Sequence, residues 1–174
     1  MWQSAPPFGE LLAECQHSAV HLEMWDRYGV DGEDQRIAAW RAGHRPDLAD
    51  RESWWRPFHS MVSDAVARGV SVRRARIVSE PVSEYIRYEY DGTFANIAAG
   101  EDVRWLPRRR ASDIALPGND FWLFDEALVR FGYFDGEGTF TGHEVTDEPH
   151  VAKLCADAFA AVWERAVPHA EYRT

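Results

Sequence analysis

Residues 70–107, "VSVRRARIVSEPVSEYIRYEYDGTFANIAAGEDVRWLP", decide the fold. The first ten residues are rich in β-branched side chains and alternate in polarity, which predicts a strand. Apolar residues then recur at helical spacing from Val82 to Tyr90, Pro81 suits a first helical turn, and Gly100 supplies a stop. The segment "DVRWLP" predicts a second strand. The order strand, helix, strand therefore predicts a parallel pair with a right-handed crossover.

Three more strands and a closing helix are predicted downstream of this unit. "FWLFD", "ALVRFGYF" and "TFTGHEVT" are short apolar or alternating runs, and "DGEG" between the last two is a hairpin signal. "EPHVAKLCADAFAAVWERAVPH" has an apolar stripe at helical spacing. The sequence thus predicts a mixed sheet of about five strands with helices packed on it.

The region upstream of the unit reads as mainly helical. Apolar residues recur at close to a helical period over residues 8–28, which predicts a first helix. A short helix opened by Asp31 or Gly32 follows, and a third runs from about residue 48 or 53 to 68, where Gly69 fits a C-terminal cap. We therefore expect one α/β domain of the α+β kind over residues 1–174, with a helical layer in 1–68 and the sheet region in 69–174.

Composition excludes several classes of protein. The chain has 45% hydrophobic residues, which excludes a disordered chain, and a formal net charge of −10, which argues against general nucleic-acid binding. No apolar run is long enough to span a bilayer and the N-terminus does not resemble a signal peptide, so we expect a cytoplasmic protein without membrane contact. The two cysteines, Cys15 and Cys155, lack metal-ligand spacing and are expected to be buried thiols.

The basic residues are concentrated in one part of the chain, and they suggest a binding site. Nine arginines against six acidic residues lie between positions 68 and 110. Alternate residues of the first strand share a face, and the turn that follows would place backbone N–H groups at a helix start, which suits an anion. The candidate anion-binding residues are Arg74, Arg76, Ser79, Glu80, Arg87 and Arg104. The alternative is that these arginines pair with carboxylates in a structural network, and the carboxylates are Glu80, Glu84, Glu89 and Asp26.

A second polar set lies in the first predicted helix. His21, Glu23, Asp26 and Tyr28 stand among apolar residues, as an interaction surface or as a capping and salt-bridge network. His17 and His21 are four residues apart, a spacing that places two metal ligands on one helix face, but no third ligand is evident. The sequence predicts no metal site and no cofactor.

Several long runs resemble an actinobacterial family of domains of unknown function. They are "SAVHLEMWDRY" (18–28), "RGVSVRRARIVSEPVSEYIRYEY" (68–90), "AGEDVRWLPRR" (99–109), "GNDFWLFD" (118–125) and "AFAAVWERAVPHAEY" (158–172). The resemblance covers essentially the whole chain. Members are commonly encoded beside helix-turn-helix regulators that accompany small acidic partner proteins. The resemblance thus implies a helix-turn-helix regulator as partner.

A more distant resemblance is to one half of a phospholipase D-like domain. "ARGVSVRRARIV" is similar to its strand after a helix, "GNDFWLFDEALV" to its catalytic hairpin, and "AFAAVWERA" to its closing helix. The hairpin of that family carries a His-x-Lys-x-x-x-x-Asp frame, which falls here on Gly118, Asp120 and Asp125. The His nucleophile and the phosphate-binding Lys are missing. The resemblance therefore implies a degenerate half-domain without the ancestral phosphodiesterase activity.

Two classes of function follow from these features. The first is a non-catalytic interaction or regulatory module that partners a helix-turn-helix regulator. The alternative is a protein that acts on a small anionic ligand through the arginine cluster, either as an enzyme with Glu80 or Asp125 as general base or as a binder without chemistry. The sequence identifies neither the ligand nor the oligomeric state.

Overall fold

The computed structural model describes residues 1–29 and 33–174. Within these ranges there are eight strands and five α-helices. The strands are β1 Gln3–Ser4, β2 Ser18–Glu23, β3 Ser71–Val78, β4 Asp102–Pro107, β5 Phe121–Phe124, β6 Leu128–Phe134, β7 Phe140–Thr146 and β8 Val167–Pro168. The helices are α1 Phe8–Glu14, α2 Glu33–Arg41, α3 Pro57–Ala67, α4 Glu84–Ala98 and α5 Pro149–Arg165, with 3₁₀ turns at Arg51–Ser53 and Arg108–Ala111.

All eight strands form one mixed sheet in the order β1-β7-β6-β5-β2-β3-β4-β8. β2, β3 and β4 are parallel neighbours, and the remaining pairs are antiparallel. The α/β class with a mixed sheet is confirmed, but the predicted number of strands was too low. β1 and β8 are two residues long and give no periodic signal, and β2 was assigned to a helix.

The strand, helix, strand unit of residues 70–107 is confirmed, with β3 and β4 parallel. The helix between them begins later than Pro81 suggested. Ser83 is its N-cap and its hydroxyl oxygen accepts a hydrogen bond from the N–H of Ile86 at 3.1 Å, so α4 starts at Glu84. Pro81 therefore lies outside the helix, because the capping serine fixes the start.

The prediction of one helix over residues 8–28 was wrong. α1 ends at Glu14, and Ser18–Glu23 is a central strand with a partner on each side. The alternation of apolar Val20 and Leu22 with polar His21 and Glu23 was the missed signal. Pairing in the middle of a sheet overrides the weak helical preference of this segment. The predicted helix start at Asp31 or Gly32 lies outside the described residues.

The two faces of the sheet differ in what covers them. α5 packs on one face, against a continuous apolar cluster that includes Leu22, Ala75, Ile77 and Phe121. The opposite face has two separate apolar clusters: α1 and α3 cover one, and α4 covers the other. The polar side chains of the candidate site lie on this second face. In the described ranges, no helix has the length and apolar character needed to cross a membrane.

Candidate functional site

A cleft of about 1280 Å³ opens on the sheet face opposite α5. This volume is larger than the range of about 300–1,000 Å³ typical of small-molecule sites. Side chains from α1, α2, α3 and α4 form its walls, and β2, β3, β5, β6 and β7 contribute to its floor. Its aromatic lining includes Phe8, Trp40, Trp54, Phe58, Trp122 and Phe134.

The register of the strands places polar side chains side by side on the floor. His21 of β2 is opposite Arg74 of β3 on one side and Trp122 of β5 on the other. Glu23 is opposite Arg76, and Trp122 is opposite Arg130 of β6. Residues opposite each other in neighbouring strands point to the same face, so these side chains meet in the cleft.

Arg74 and Arg76 are the centre of a buried ion-pair network. Arg74 contacts Glu23 at 2.7 Å and Glu101 at 2.8 Å, and its side chain is 8% exposed. Arg76 contacts Glu23 at 2.8 Å and Glu89 at 2.6 Å. Each guanidinium is thus already paired with two carboxylates, and the network includes three carboxylates for two cations. The structure therefore places both arginines in a structural network, in which Glu89 was an expected partner and Glu23 and Glu101 were not.

The electrostatics of the network keep its charges fixed. Burial disfavours the charged form of Glu23, but Arg76 and Arg74 outweigh burial and lower its pKa to about 2. Burial lowers the pKa of His21 well below its ordinary value, and the three neighbouring arginines act in the same direction against the attraction of Glu23. His21 is therefore a neutral imidazole, stacked on Trp122 with ring centroids 4.4 Å apart.

Asp120 is a buried carboxyl at the edge of the same floor. Its Oδ1 accepts a hydrogen bond from the N–H of Met24 at 2.9 Å, and its Oδ2 accepts one from the hydroxyl of Tyr28. Burial raises the pKa of Asp120 to about 7; Glu23 adds to the rise, and the two hydrogen bonds oppose it. Asp120 therefore changes charge near neutral pH.

Arg130 is a cation of the cleft that lies outside this network. Its Nε is buried without a hydrogen-bond partner among the described residues, and with them its guanidinium forms no ion pair. Burial lowers the pKa of Arg130, which nevertheless stays charged because a guanidinium loses its proton only at very high pH. Burial and the charge of Arg130 together lower the pKa of His143 to about 4, so this imidazole is neutral.

The other predicted anion-binding residues do not converge on the cleft. The N–H and hydroxyl of Ser79 donate to Asp26 at 2.7 and 2.6 Å, and Glu80 accepts a hydrogen bond from Tyr172. Arg87 is exposed on α4 and donates to the carbonyl of Val82 at 3.1 Å. Arg104 lies on the face covered by α5, with its guanidinium 4.2 Å from the ring of Trp163. β4 alternation sends Arg104 to that face, which corrects the expectation that it joins Arg74.

The second predicted polar set is divided between a strand and a loop. His21 and Glu23 point into the cleft from β2, whereas the helix predicted for them does not exist. Asp26 follows the strand, binds Ser79, and pairs with Arg108 at 3.2 Å. Tyr28 lines the cleft and holds Asp120. With His17 in the turn before β2, the two histidines do not share a helix face, and in the described chain no group of three His, Cys, Asp or Glu could hold a metal ion.

The hairpin residues that match the phosphodiesterase frame lie in three different environments. Gly118 is exposed and does not line the cleft, whereas Asp120 lines it. Asp125 lies in the turn after β5, where it accepts hydrogen bonds from the N–H groups of residues 16, 17 and 18 at 2.8, 2.7 and 2.9 Å. Burial opposes ionisation of Asp125, but these donors lower its pKa to about 2. Asp125 thus joins the turn to the start of β2 through these hydrogen bonds. It does not line the cleft, so it is not placed to act as a general base there.

Asp125→Ala is expected to lower the free energy of unfolding by roughly 2–3 kcal/mol, because three N–H groups lose a charged acceptor. Chemical denaturation at pH 7 measures the change. Glu126→Ala is the matched control: Glu126 also has positive φ, 56° against 49° at Asp125, but is exposed and accepts none of these bonds. Equal losses in the two variants would mean that backbone strain, and not hydrogen bonding, explains the effect.

Two residues of the site, Arg130 and Glu101, were not predicted from the sequence. Arg130 interrupts the apolar run "ALVRFGYF", and an arginine on the inner face of a strand was a usable signal. Glu101 gave no such signal. Glu101 lies after Gly100 in the α4–β4 turn, and only the packing shows that it is buried against Arg74.

A sequence-family model described as "Domain of unknown function (DUF6879)" matches residues 6–174. The chain belongs to the DUF6879 family. This match covers nearly the whole chain and agrees with the resemblance to a family of domains of unknown function. No curated protein sequence matches this DUF6879 chain.

Solved structures with a phospholipase D-like fold resemble this DUF6879 chain. NucT from Helicobacter pylori superimposes with a TM-score of 0.54 at 12% sequence identity, over 92% of this chain and 87% of NucT. Nuc from Salmonella typhimurium, a phospholipase D family member, superimposes with a TM-score of 0.50 at 13% identity, over 100% of this chain and 99% of Nuc. At these identities the similarity shows the fold alone. The chain has a phospholipase D-like fold.

A third match is to part of a longer protein. The archaeal chromatin protein TrmBL2 superimposes with a TM-score of 0.48 at 15% identity, and the match spans 91% of this chain but 47% of TrmBL2.

Proposed function

We propose that this protein is a non-catalytic binding module whose cleft holds a small organic ligand. The observation that carries the proposal is the pairing of Arg74 and Arg76 with three buried carboxylates on the floor of a 1280 Å³ cleft. The arginines that would bind a reacting phosphate are already paired with carboxylates, while the cleft beside them has room for a ligand.

The hairpin supports the absence of phosphodiesterase chemistry. That chemistry requires a nucleophile and a cation that stabilises the phosphoryl oxygens. Gly118 supplies no nucleophile, and Asp120, with a pKa of about 7, supplies no positive charge. His21 is one of the imidazoles of the cleft, and its ring is stacked on Trp122 beside the ion-pair network.

The cleft supports ligand binding because its aromatic walls offer flat apolar surface and its floor is held in one geometry. Ligand sites combine mostly apolar walls with a few fixed polar groups. Buried ion pairs keep the positions of the side chains around them, so the site is largely formed before a ligand arrives.

A regulatory role with a helix-turn-helix transcription regulator is part of the proposal, as are an actinobacterial origin and a cytoplasmic location. The family resemblance of the sequence supports these statements. The acidic net charge of −10 supports the partnership, because it suits docking on a basic DNA-binding protein. Direct binding of nucleic acid is not expected. Calorimetric titration with the regulator encoded nearest the gene tests the partnership, and the absence of heat and of co-elution would contradict it.

Filling the cleft is expected to abolish ligand binding. Gly132 lines the floor, and a Cβ there would have only ordinary contacts, at 3.7 Å from the ring of His143, so Gly132→Phe should fold and place its ring in the cleft. Gly118→Phe is the matched control. Gly118 is exposed, and a Cβ added there would have no described heavy atom within 4 Å beyond its chain neighbours. We expect 1-naphthoate, measured by calorimetry, to bind the wild type and Gly118→Phe equally and to bind Gly132→Phe at least about 10-fold more weakly.

Two outcomes would count against the proposal. If 1-naphthoate, 1-naphthyl phosphate, 1-naphthalenemethanol, 1-naphthalenemethylamine and cyclohexanecarboxylate all fail to bind the wild type, or bind Gly132→Phe equally well, the cleft is not a ligand site. If bis(4-nitrophenyl) phosphate is hydrolysed by the wild type but not by Gly132→Phe, the module is catalytic.

A further inference from the structure

The geometry points to an aromatic acid as the ligand of the cleft: a planar ring system with one carboxylate or phosphate group, whose anionic oxygens bind Arg130. This inference rests on the proposed function and specifies its ligand. Arg130, and not the predicted cluster at Arg74 and Arg76, is the anchor.

Arg130 is a half-buried charge whose Nε is fully buried, and it has no ion-pair partner in the described part of the chain. Its strand position directs it into the cleft, opposite Trp122, and its guanidinium carbon lies 5.7 Å from the ring centre of Phe8. A charge partly withdrawn from water without a partner is destabilised, and an anionic ligand in the same cleft offsets that cost. Oxygen pairs of a carboxylate or a phosphate match the two parallel N–H donors of a guanidinium.

The groups around Arg130 leave its charge available to a ligand. Phe8 and Trp122 are aromatic, and His143 is neutral because its pKa is about 4. Arg74 and Arg76 differ, since each already contacts two carboxylates within 2.8 Å. The three carboxylates of that network direct an anion away from the network and toward Arg130.

The aromatic part of the ligand is inferred from the surfaces beside Arg130. The rings of Phe8 and Trp122 lie 4.8 Å apart, and Phe58 lies 5.7 Å from Phe8. Flat side chains of this kind bind planar rings by stacked or edge-to-face contact. Trp54 lines the same cleft, and its indole N–H is buried without a partner among the described residues. The free polar groups on Arg130 and Trp54 are donors, so they complement the acceptor oxygens of an acid.

A matched series of probes separates charge from shape. The series consists of 1-naphthoate, 1-naphthyl phosphate, 1-naphthalenemethanol, 1-naphthalenemethylamine, cyclohexanecarboxylate and inorganic phosphate, titrated into the wild type, Arg130→Gln and Arg87→Gln. Arg87 is an exposed arginine outside the cleft and serves as the control. Because Arg130 forms no ion pair with the described residues, Arg130→Gln should unfold at no lower denaturant concentration than the wild type.

We expect the two naphthyl acids to bind the wild type at least about 10-fold more tightly than 1-naphthalenemethanol and cyclohexanecarboxylate. Arg130→Gln should weaken the naphthyl acids by about 10-fold or more and leave the alcohol unchanged, while Arg87→Gln matches the wild type. The relative affinities of the carboxylate and the phosphate identify the preferred anionic group.

Three results would overturn the inference. They are equal binding of the acid and the alcohol, tighter binding of the amine, or an affinity for 1-naphthoate that Arg130→Gln leaves unchanged. If Gly132→Phe still blocks binding in any of these cases, the cleft remains a ligand site and only the ligand class is wrong. Failure of every organic probe to bind the wild type would reject the binding module itself.

Discussion

Arg74→Gln is expected to lower the free energy of unfolding by about 3–5 kcal/mol. The side chain of Glu101 is 0% exposed. Among the described residues, the substitution leaves its carboxylate with one hydrogen-bond partner, the amide of Asn96, and without an ion-pair partner. Arg76 keeps Glu23 and Glu89, so the network then contains three carboxylates for one guanidinium. Removing one member of a buried ion pair leaves the other charge buried without a compensating partner. The desolvation free energy of that charge is the reason for the large loss of stability.

Arg41→Gln is the matched control for this prediction. Arg41 pairs with Glu84 at 2.5 Å, but the two side chains are 57% and 47% exposed, so the loss should be at most about 1 kcal/mol. Urea denaturation at pH 7 measures both variants, with an unchanged denaturant slope as the sign that only stability has changed. A loss for Arg74→Gln no larger than that for Arg41→Gln would show that solvent reaches the network.

The same variant has an expected pH dependence. The pKa of Glu23 is lowered from 4.5 to about 2 in the folded protein, so its charge stabilises the fold above pH 4.5 and this contribution is lost as the pH falls toward 2. Acid also neutralises the excess negative charge that Arg74→Gln leaves in the network. The difference in stability between the wild type and Arg74→Gln should therefore narrow as the pH falls through this range.

Asp120→Asn is expected to stabilise the protein above neutral pH. The pKa of Asp120 is about 7 in the folded protein and 3.8 in its ordinary state, so the folded wild type binds more protons than the unfolded chain between these values. Wild-type stability therefore falls as the pH rises from about 4 to 7. Above pH 7, Asp120 is ionised in both states and makes no further contribution to the pH dependence. Asn has the shape of the protonated carboxyl and accepts from Met24 with its oxygen, so the variant should be more stable by roughly 3 kcal/mol at pH 8.5.

The stability difference between Asp120→Asn and the wild type should vanish near pH 3.5. Urea denaturation at a series of pH values measures it, and Asp157→Asn is the control. Asp157 is 65% exposed in an i,i+4 pair with Lys153, so the stability of this variant should stay within about 0.5 kcal/mol of the wild type at every pH. If the difference in unfolding free energy between Asp120→Asn and the wild type is the same at every pH, Asp120 is ionised in the folded protein throughout the pH range.

These two variants examine the floor of the cleft from opposite directions. Arg74 is held by the network, and its removal is expected to lower the free energy of unfolding. Replacing the carboxyl of Asp120 with an amide is expected to raise it above neutral pH. A group that costs stability at neutral pH is typical of sites kept for binding rather than for packing. Asp120 and Arg130 are both groups of this kind, and both line the cleft.

The sequence by itself determined the local elements whose periodicity is strong. Residues 70–107 predicted β3, α4 and β4, and "DGEG" predicted the β6–β7 hairpin, because turn residues and alternating or helical spacing are local properties of the chain. The same spacing misassigned β2, whose six residues fit a short helix as well as a strand. The polar identities of His21 and Glu23 were visible, but their helical placement was not correct.

Only the tertiary structure decided which of the charged residues belong together. Strand register brings Glu23 of β2 beside Arg76 of β3, 53 residues later in the sequence, and packing of the α4–β4 turn buries Glu101 against Arg74. The alternation of β4 sends Arg104 to the opposite face, and Arg130 remains without a carboxylate among the described residues. A charge is paired or free according to what the fold places within a few ångströms of it, and that distance is not a property of sequence spacing.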